Sequence, residues 1–561
     1  MTPLTWLLFL LPVTRAQWGN PLARSYPAWQ QLLEQQQTAA LQSAEYPEHH
    51  LRVPIDHFTN ESRYEPHENG TFNLRYWFDD QFYQPGGPVF VIAAGETGGE
   101  DRFPFLSQGI VRDLAQKYHG IGVILEHRYY GSSYPFEELT TENIRFLTTE
   151  QAVADYAYFA QHVQFPGVKG HNLRPSATPW IAYGGSYAGA FVAFLRKLYP
   201  DTYWGAVSSS GVTQAIEDYW AYFEGVRNFG PAACIDVTQT ATDVADRIMI
   251  DHAQNKTLNK QLKTTFGASP DLTDDFFANL LSSPLGSFQS RNWDQEIGSP
   301  MFGQYCGNIT SAELLFPDTE PVKQSMAELA AIAGYDPKNA TLVTNLLNFA
   351  GYVSQSAFSA LGPDTPVDGQ TKLLAQGGSL PKSTGTSWNY QVCTEWGYFI
   401  TGSGVPAEIR PLTSRVLDVA ALSRFCGEDY GIHERPNVTR INQHGGFDFS
   451  YPRVAIIDGL ADPWRAATPH ADGAREREST DSEPFLMIDV PETDVWDGMR
   501  GGVHHWDQNG LSGKGDIPEG VRKAQQEVVR FVGVWLGEWK KGVIMVNAST
   551  VTGGYKPVRI L

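Results

Sequence analysis

Residues 181–189 read IAYGGSYAG, and the chemistry of the chain is organised around them. A β-run beginning at Trp180 turns at Gly184-Gly185-Ser186 and continues into a helical run, Tyr187–Leu198. Gly184 stands two residues before Ser186 and Ala188 two residues after it. This is a G-x-S-x-A form of the nucleophile elbow, a turn so tight that only small residues fit at both flanking positions. It lifts the serine hydroxyl above the sheet, at the positive end of the next helix. The spacing alone is also met in ordinary Gly-rich turns. Its place between strand and helix is what carries meaning.

The segments around the elbow repeat that alternation. Residues 88–95 (PVFVIAAG) and 120–126 (GIGVILE) are continuous apolar runs, the pattern of strands buried on both faces. Residues 106–118 have helical spacing. Thr148 followed by Gln151 predicts a capping box for a helix running to about Val163. A further strand is expected at 204–208. Such alternation implies a mostly parallel sheet with helices on both sides. From about residue 212 to 436 the chain reads instead as helices and irregular loops, Gly/Pro/Ser-rich at 360–387. Strand signals return at 453–458 (RVAIID) and 485–490 (FLMIDV), followed by a long amphipathic helix over about 518–540. The expected organisation is an α/β domain in two parts, 50–212 and 437–545, interrupted by a mainly helical cap at 213–436.

A serine hydroxyl needs a base, and the base needs an orienting carboxylate. After a nucleophile elbow these partners follow in the order Ser, Asp, His, each on a loop after a strand. Asp462 lies four residues past RVAIID, and His504 lies after FLMIDV in Gly501-Gly502-Val503-His504-His505. The rivals are Asp458, which ends its strand, and His505. An oxyanion hole needs backbone N–H groups. One is expected from Tyr187 and the other from the loop Gly95-Glu96-Thr97-Gly98-Gly99, taken at Glu96.

The 561 residues carry 42 basic and 62 acidic side chains, a net charge of −20. That argues against a nucleic-acid partner, since phosphate contacts need a basic surface. An acidic surface loses much of its self-repulsion at about pH 4–5, so work in an acidic medium is permitted. Residues 1–16 (MTPLTWLLFLLPVTRA) read as a cleaved signal peptide: the apolar run is too short to span a bilayer and ends in small residues. No membrane association is expected of the mature chain. Seven Asn-X-Ser/Thr sequons, at Asn60, Asn69, Asn255, Asn308, Asn339, Asn437 and Asn547, exceed chance and support secretion with glycosylation. Cys234, Cys306, Cys393 and Cys426 form no C-x-x-C pair. Two disulfides are expected. Of three connectivities, nearest-neighbour pairing closes the shortest loops. No metal or organic cofactor is called for, since His49, His50 and His57 lack a ligand spacing.

Several stretches resemble the serine peptidase family of lysosomal Pro-X carboxypeptidase and dipeptidyl peptidase II, with its fungal secreted relatives. They are Glu126-His127-Arg128-Tyr129-Tyr130-Gly131 with Ser133-Tyr134-Pro135-Phe136; Gly184-Gly185-Ser186-Tyr187; Trp388 to Glu395 (WNYQVCTE); Asp462-Pro463-Trp464; and Gly502-Val503-His504-His505. They run in family order over about residues 50–540. The resemblance implies an α/β-hydrolase fold with a helical cap, a triad of Ser186, Asp462 and His504, and cleavage after proline at acid pH. It puts Trp464 in the proline pocket, with Trp506 nearby. Three positions depart from the family: Glu96-Thr97 in the oxyanion loop, Ala188 in place of Gly, and Gln508 where an apolar pocket residue is expected. The expected substrate is a peptide or protein containing proline, met outside the cell or in a lysosome- or vacuole-like compartment. Carboxypeptidase action ranks ahead of prolyl endopeptidase and dipeptidyl peptidase action. Outside the peptidases, an esterase or an inactive hydrolase-fold binding protein shares the elbow.

Overall fold

The computed structural model describes residues 46–168, 172–361, 366–369, 379–509 and 517–549, without the side chains of 360 and 541–549. The expected signal peptide lies outside the described residues, as does part of the Gly/Pro/Ser-rich stretch. An eight-stranded sheet forms the centre. Its strands are β1 (His49–Pro54), β2 (Thr71–Asp79), β3 (Val89–Ala93), β4 (Ile121–Leu125), β5 (Trp180–Gly185), β6 (Gly205–Ser209), β9 (Val454–Gly459) and β10 (Phe485–Ile488). The order is β1-β2-β4-β3-β5-β6-β9-β10. Pairing is antiparallel between β1 and β2 and between β2 and β4, and parallel from β4 onward.

The apolar runs explain the middle of this sheet. Every residue of β3, β4 and β6 is buried, as strands covered on both faces must be. Helices α1 (Ile110–Tyr118), α2 (Thr149–His162) and α3 (Tyr187–Leu198) connect the parallel strands. This is an α/β-hydrolase fold. Between β6 and β9 the chain is mostly helical, including α4 (Ala232–Asp246), α5 (Met301–Ile309), α6 (Thr384–Gln391) and α7 (Val419–Tyr430). A small parallel ribbon, β7 (Ile216–Asp218) with β8 (Gly397–Phe399), pairs the start of this insertion with its later part. Disulfides link Cys234 of α4 to Cys306 of α5, and Cys393, just after α6, to Cys426 of α7. The last helix, α8 (Glu519–Ser549), runs past the expected end at 540. No helix among the described residues is long and apolar enough to cross a membrane.

Some expectations need correction. β1 and β2 were not anticipated, nor was the β7–β8 ribbon. The helix expected from 106 starts at Ile110, because a short separate helix, Phe103–Ser107, precedes it. Only half of the capping box forms. Thr148 Oγ1 accepts from Gln151 N, but the Gln151 side chain turns to Asp56 Oδ1 (2.7 Å) and to His57 N (2.9 Å). It ties α2 to the segment after β1 rather than closing back on its own helix.

Candidate active site

Ser186 sits at φ 57° and ψ −128°, a strained backbone position between β5 and α3. Its N–H donates to Ser209 O at the end of β6 (2.9 Å). The small residues around it are sterically required. A Cβ on Gly184 would lie 2.1 Å from Ala188 O, and one on Gly189 would lie 2.8 Å from Gly211 Cα. Gly95, at φ +70°, lies close against α3, since a Cβ there would stand 3.0 Å from Ala188 Cβ. The loop after β3 therefore packs directly on the first turn of α3, at the methyl group that replaces the family's glycine.

Asp462 and His504 come from loops after β9 and β10 that are stitched together by main chain. Ala461 N donates to Gly502 O (2.8 Å) and Leu460 N to Ile488 O (2.9 Å). Gly502, at φ +83°, allows this approach, because a Cβ would lie 2.0 Å from Ile488 O. His504 Nδ1 then lies 2.8 Å from Asp462 Oδ2, with both side chains almost fully buried. Asp462 Oδ1 accepts from Trp464 N (2.9 Å), which fixes the carboxylate's rotation. A carboxylate only accepts, so the shared hydrogen belongs to Nδ1, and Nε2 becomes the basic nitrogen of the neutral ring.

The two rivals are otherwise engaged. Asp458 Oδ2 pairs with His470 Nδ1 at 2.6 Å. His505 stacks on His504 with ring centroids 3.8 Å apart, and its backbone N–H donates to Ser210 Oγ (3.2 Å). Its ring lies against the elbow, as a Cβ on Gly185 would fall 2.9 Å from His505 Nε2. Burial first, then the charges of His504 and Arg102, push His505 well below the usual histidine range.

The segment 126–133 turns out to be scaffold. Buried Glu126 accepts from Arg75 Nε (2.8 Å), Gly99 N (2.8 Å) and Ser133 Oγ (2.6 Å). Arg128 holds Asp155 through two bonds of 2.6 and 2.7 Å. His127 Nδ1 donates to Arg128 O (2.7 Å), and Nε2 accepts from the Tyr187 hydroxyl (2.9 Å). Burial lowers His127 to about 4. The cap segment closes on the same spot. Trp388 and Trp396 pack edge-on against the Tyr187 ring at 5.6 and 5.2 Å, and Glu395 accepts from Thr149 N at 2.9 Å. Thus the residue after Ser186 is clamped from both sides, and so is its backbone N–H.

The chain as a whole has relatives among known proteins. Residues 54–480 match the model of the family described as serine carboxypeptidase S28. The chain belongs to that family. It is a serine-type peptidase. This S28 chain is 43% identical over 531 residues to a probable extracellular serine carboxypeptidase of Arthroderma benhamiae, covering 92% of this chain and 71% of that one. It is 26% identical over 481 residues to human lysosomal Pro-X carboxypeptidase, covering 84% and 85% of the two chains. Among solved structures it is similar to a proline iminopeptidase of Mycobacterium smegmatis, with a TM-score of 0.33 and 10% identity over 87% of this chain and 99% of that one.

The candidate site opens into a cavity of about 110 Å³ whose lining includes Arg102, Gln289, Asn292, His504, His505 and Gln508. Gln508 thus does line it, as a polar residue. Trp464 is nearly buried in an aromatic cluster, stacked on Tyr219 (5.4 Å) and 6.5 Å from His504. Trp506, expected at the substrate, is instead packed inside: it is 1% exposed and donates its indole N–H to Arg291 O (2.9 Å). Glu126 and Glu100 are committed to Arg75. Sequence reasoning missed Arg102, Gln289 and Asn292. The latter two belong to the insertion, and nothing in their local pattern places them beside His504. Asn60, Asn69, Asn255, Asn339 and Asn437 are exposed, Asn308 is partly so, and the Asn547 side chain lies outside the described residues. Among the described residues no cluster of three His, Cys, Asp or Glu side chains is arranged to hold a metal.

Proposed function

We propose that this protein is a secreted, acid-active serine carboxypeptidase that hydrolyses peptide bonds after proline through Ser186, Asp462 and His504. The observation that carries the reading is the buried 2.8 Å pair of His504 and Asp462 on loops at the sheet edge where the elbow ends. Ser186 Oγ attacks the peptide carbonyl while His504 Nε2 takes its proton. Asp462 holds the imidazolium. The backbone N–H groups of Tyr187 and Glu96 receive the oxyanion. His504 returns the proton to the leaving amine, and a water molecule, activated by the same nitrogen, then releases the acyl group and regenerates the serine.

The extracellular name of the 43% identical relative, the exposed sequons and the 1–16 segment all support secretion. Proline preference is supported by the aromatic cluster around Trp464, whose ring stands 6.5 Å from that of His504, since a rigid apolar ring suits aromatic neighbours. Acid activity is supported by the net charge of −20 and by a buried carboxyl, Asp507, that burial raises to about 6. The test is mass spectrometry of products from one proline-containing peptide at pH 4–5, with Ser186→Ala as control. Release of the single residue after proline is expected, with none from the folded variant. Turnover by the variant, or internal cleavage only, overturns the reading.

A further inference from the structure

Two cations line the cavity beside His504, Arg102 and Arg291, and only one of them is neutralised. Arg291 is held by Asp497 through bonds of 2.7 and 3.1 Å and by the carbonyls of Met499 and Arg500. Arg102 closes the 3-10 turn Gly99–Arg102, on the loop after β3 that also carries Glu96. Its Nε donates to Ala94 O (3.1 Å), which anchors the stem. Among the described residues its two terminal nitrogens have no hydrogen bond or ion pair. Asp101 also lines the cavity, but its carboxylate accepts from Thr97 Oγ1 and makes no ion pair with Arg102.

The chemistry of the leaving group says what such a cation faces. His504 delivers its proton to the amine nitrogen of the departing residue, so that residue occupies the space next to His504. In a carboxypeptidase substrate the departing residue is the last one, and its carboxylate carbon is two bonds from that nitrogen. A fixed positive charge in the cavity that touches His504 and His505 is therefore within one residue's length of the carboxylate. The cavity, about 110 Å³, is large enough to seat the departing residue.

We propose that Arg102 is the specificity residue that recognises the C-terminal carboxylate of the substrate and so sets the exopeptidase mode. The guanidinium fork matches a carboxylate with two parallel N–H···O bonds. At pH 4–5 a free peptide C-terminus is still largely ionised, with a pKa of about 3.5. The proximity of Arg102 to the catalytic loop is also felt by His505, whose protonated form it disfavours.

This inference rests on the carboxypeptidase reading above, and the experiment separates the two. An N-blocked dipeptide ending Pro-Ala would be supplied as the free acid and as the C-terminal amide, and kcat/KM measured for both at pH 5. Titration of Ser186 with a fluorophosphonate probe reports the folded, competent fraction. Wild type should prefer the acid by about 10–100-fold, the range expected for a charge-assisted pair. Arg102→Gln should bring that ratio close to one, chiefly through KM for the acid, and Arg102→Lys should retain part of it. An unchanged ratio in Arg102→Gln, with full probe titration, overturns the assignment of Arg102 alone. A wild-type ratio near one with full titration overturns the carboxypeptidase reading and this inference with it. Absence of probe labelling in wild type overturns the serine mechanism itself.

Discussion

The Tyr187 hydroxyl donates to His127 Nε2 across 2.9 Å, joining the residue after Ser186 to the middle of the Glu126–Gly131 segment. Both groups are wholly buried. The bond fixes the ring of Tyr187, and with it the first amide of α3, independently of the cap that packs on the other side.

Tyr187→Phe should therefore cost more than one ordinary hydrogen bond. It leaves His127 Nε2 buried without its donor, a loss of about 1–3 kcal/mol. Equilibrium denaturation at pH 6 should show a stability loss in that range. The kcat should fall with KM nearly unchanged, because a displaced Tyr187 amide weakens the interaction made only in the transition state.

The two Asp–His pairs at the sheet edge look alike and should behave differently. Asp462 pairs with His504 and Asp458 with His470. Asp462→Asn should lower kcat on the order of 10⁴-fold, the loss known when the orienting carboxylate of such a triad becomes an amide. Asp458→Asn should leave kcat near wild type and lower stability, since its partner His470 is stacked on Phe485 with ring centroids 3.5 Å apart. Steady-state kinetics of the two variants decides it. Equal losses would mean that the acid has been assigned to the wrong residue.

Much of this was legible in the sequence because the signals are local. The elbow is written in Gly184, Ser186 and Ala188, and the strands that carry it are unbroken apolar runs. What escaped reading depends on contacts distant in the chain. β2 (TFNLRYWFD) does show a partial alternation, with Phe72, Leu74 and Tyr76 buried. Its strand identity, however, comes from pairing with β4, some fifty residues on. Trp506 was expected at the substrate because it follows the histidine closely. The loop curls so that its indole meets Arg291, over two hundred residues away. Glu126 and Arg128 were legible as part of the EHRYYG stretch. Their partners, Arg75 and Asp155, were not.

The two disulfides should separate stability from activity. They close loops of 72 and 33 residues. In the chain-entropy model each is worth about 4 kcal/mol, so neither dominates. Only Cys393 neighbours the site: it lies between Gln391, which accepts from the Tyr130 hydroxyl, and Glu395, which holds Thr149. Cys393→Ser with Cys426→Ser should lower both the denaturation midpoint and kcat. Cys234→Ser with Cys306→Ser should lower the midpoint by a similar amount and spare kcat.

Asp507 and His127 make opposite demands on pH. Asp507 accepts from Ser209 Oγ (2.6 Å) and from the Tyr183 hydroxyl, and burial raises it to about 6. A carboxyl whose folded pKa is raised contributes most in acid, and that contribution is lost as pH rises from about 4 to about 6. His127, lowered by burial to about 4, works the other way: its neutral form costs stability as pH falls from about 6.5 to about 4. Each shift is about 2 pKa units, or roughly 3 kcal/mol at full extent, so the two trends nearly cancel in the wild type and flatten its stability over this range. Asp507→Asn removes one side of the balance. Whatever constant loss the substitution brings, the variant should gain about 2–3 kcal/mol relative to wild type between pH 4 and pH 7. Urea denaturation midpoints at pH 4, 5.5 and 7 measure that slope. A constant difference between the two proteins at all three values would mean that Asp507 is ionised throughout and takes no part in the acid tolerance of the fold.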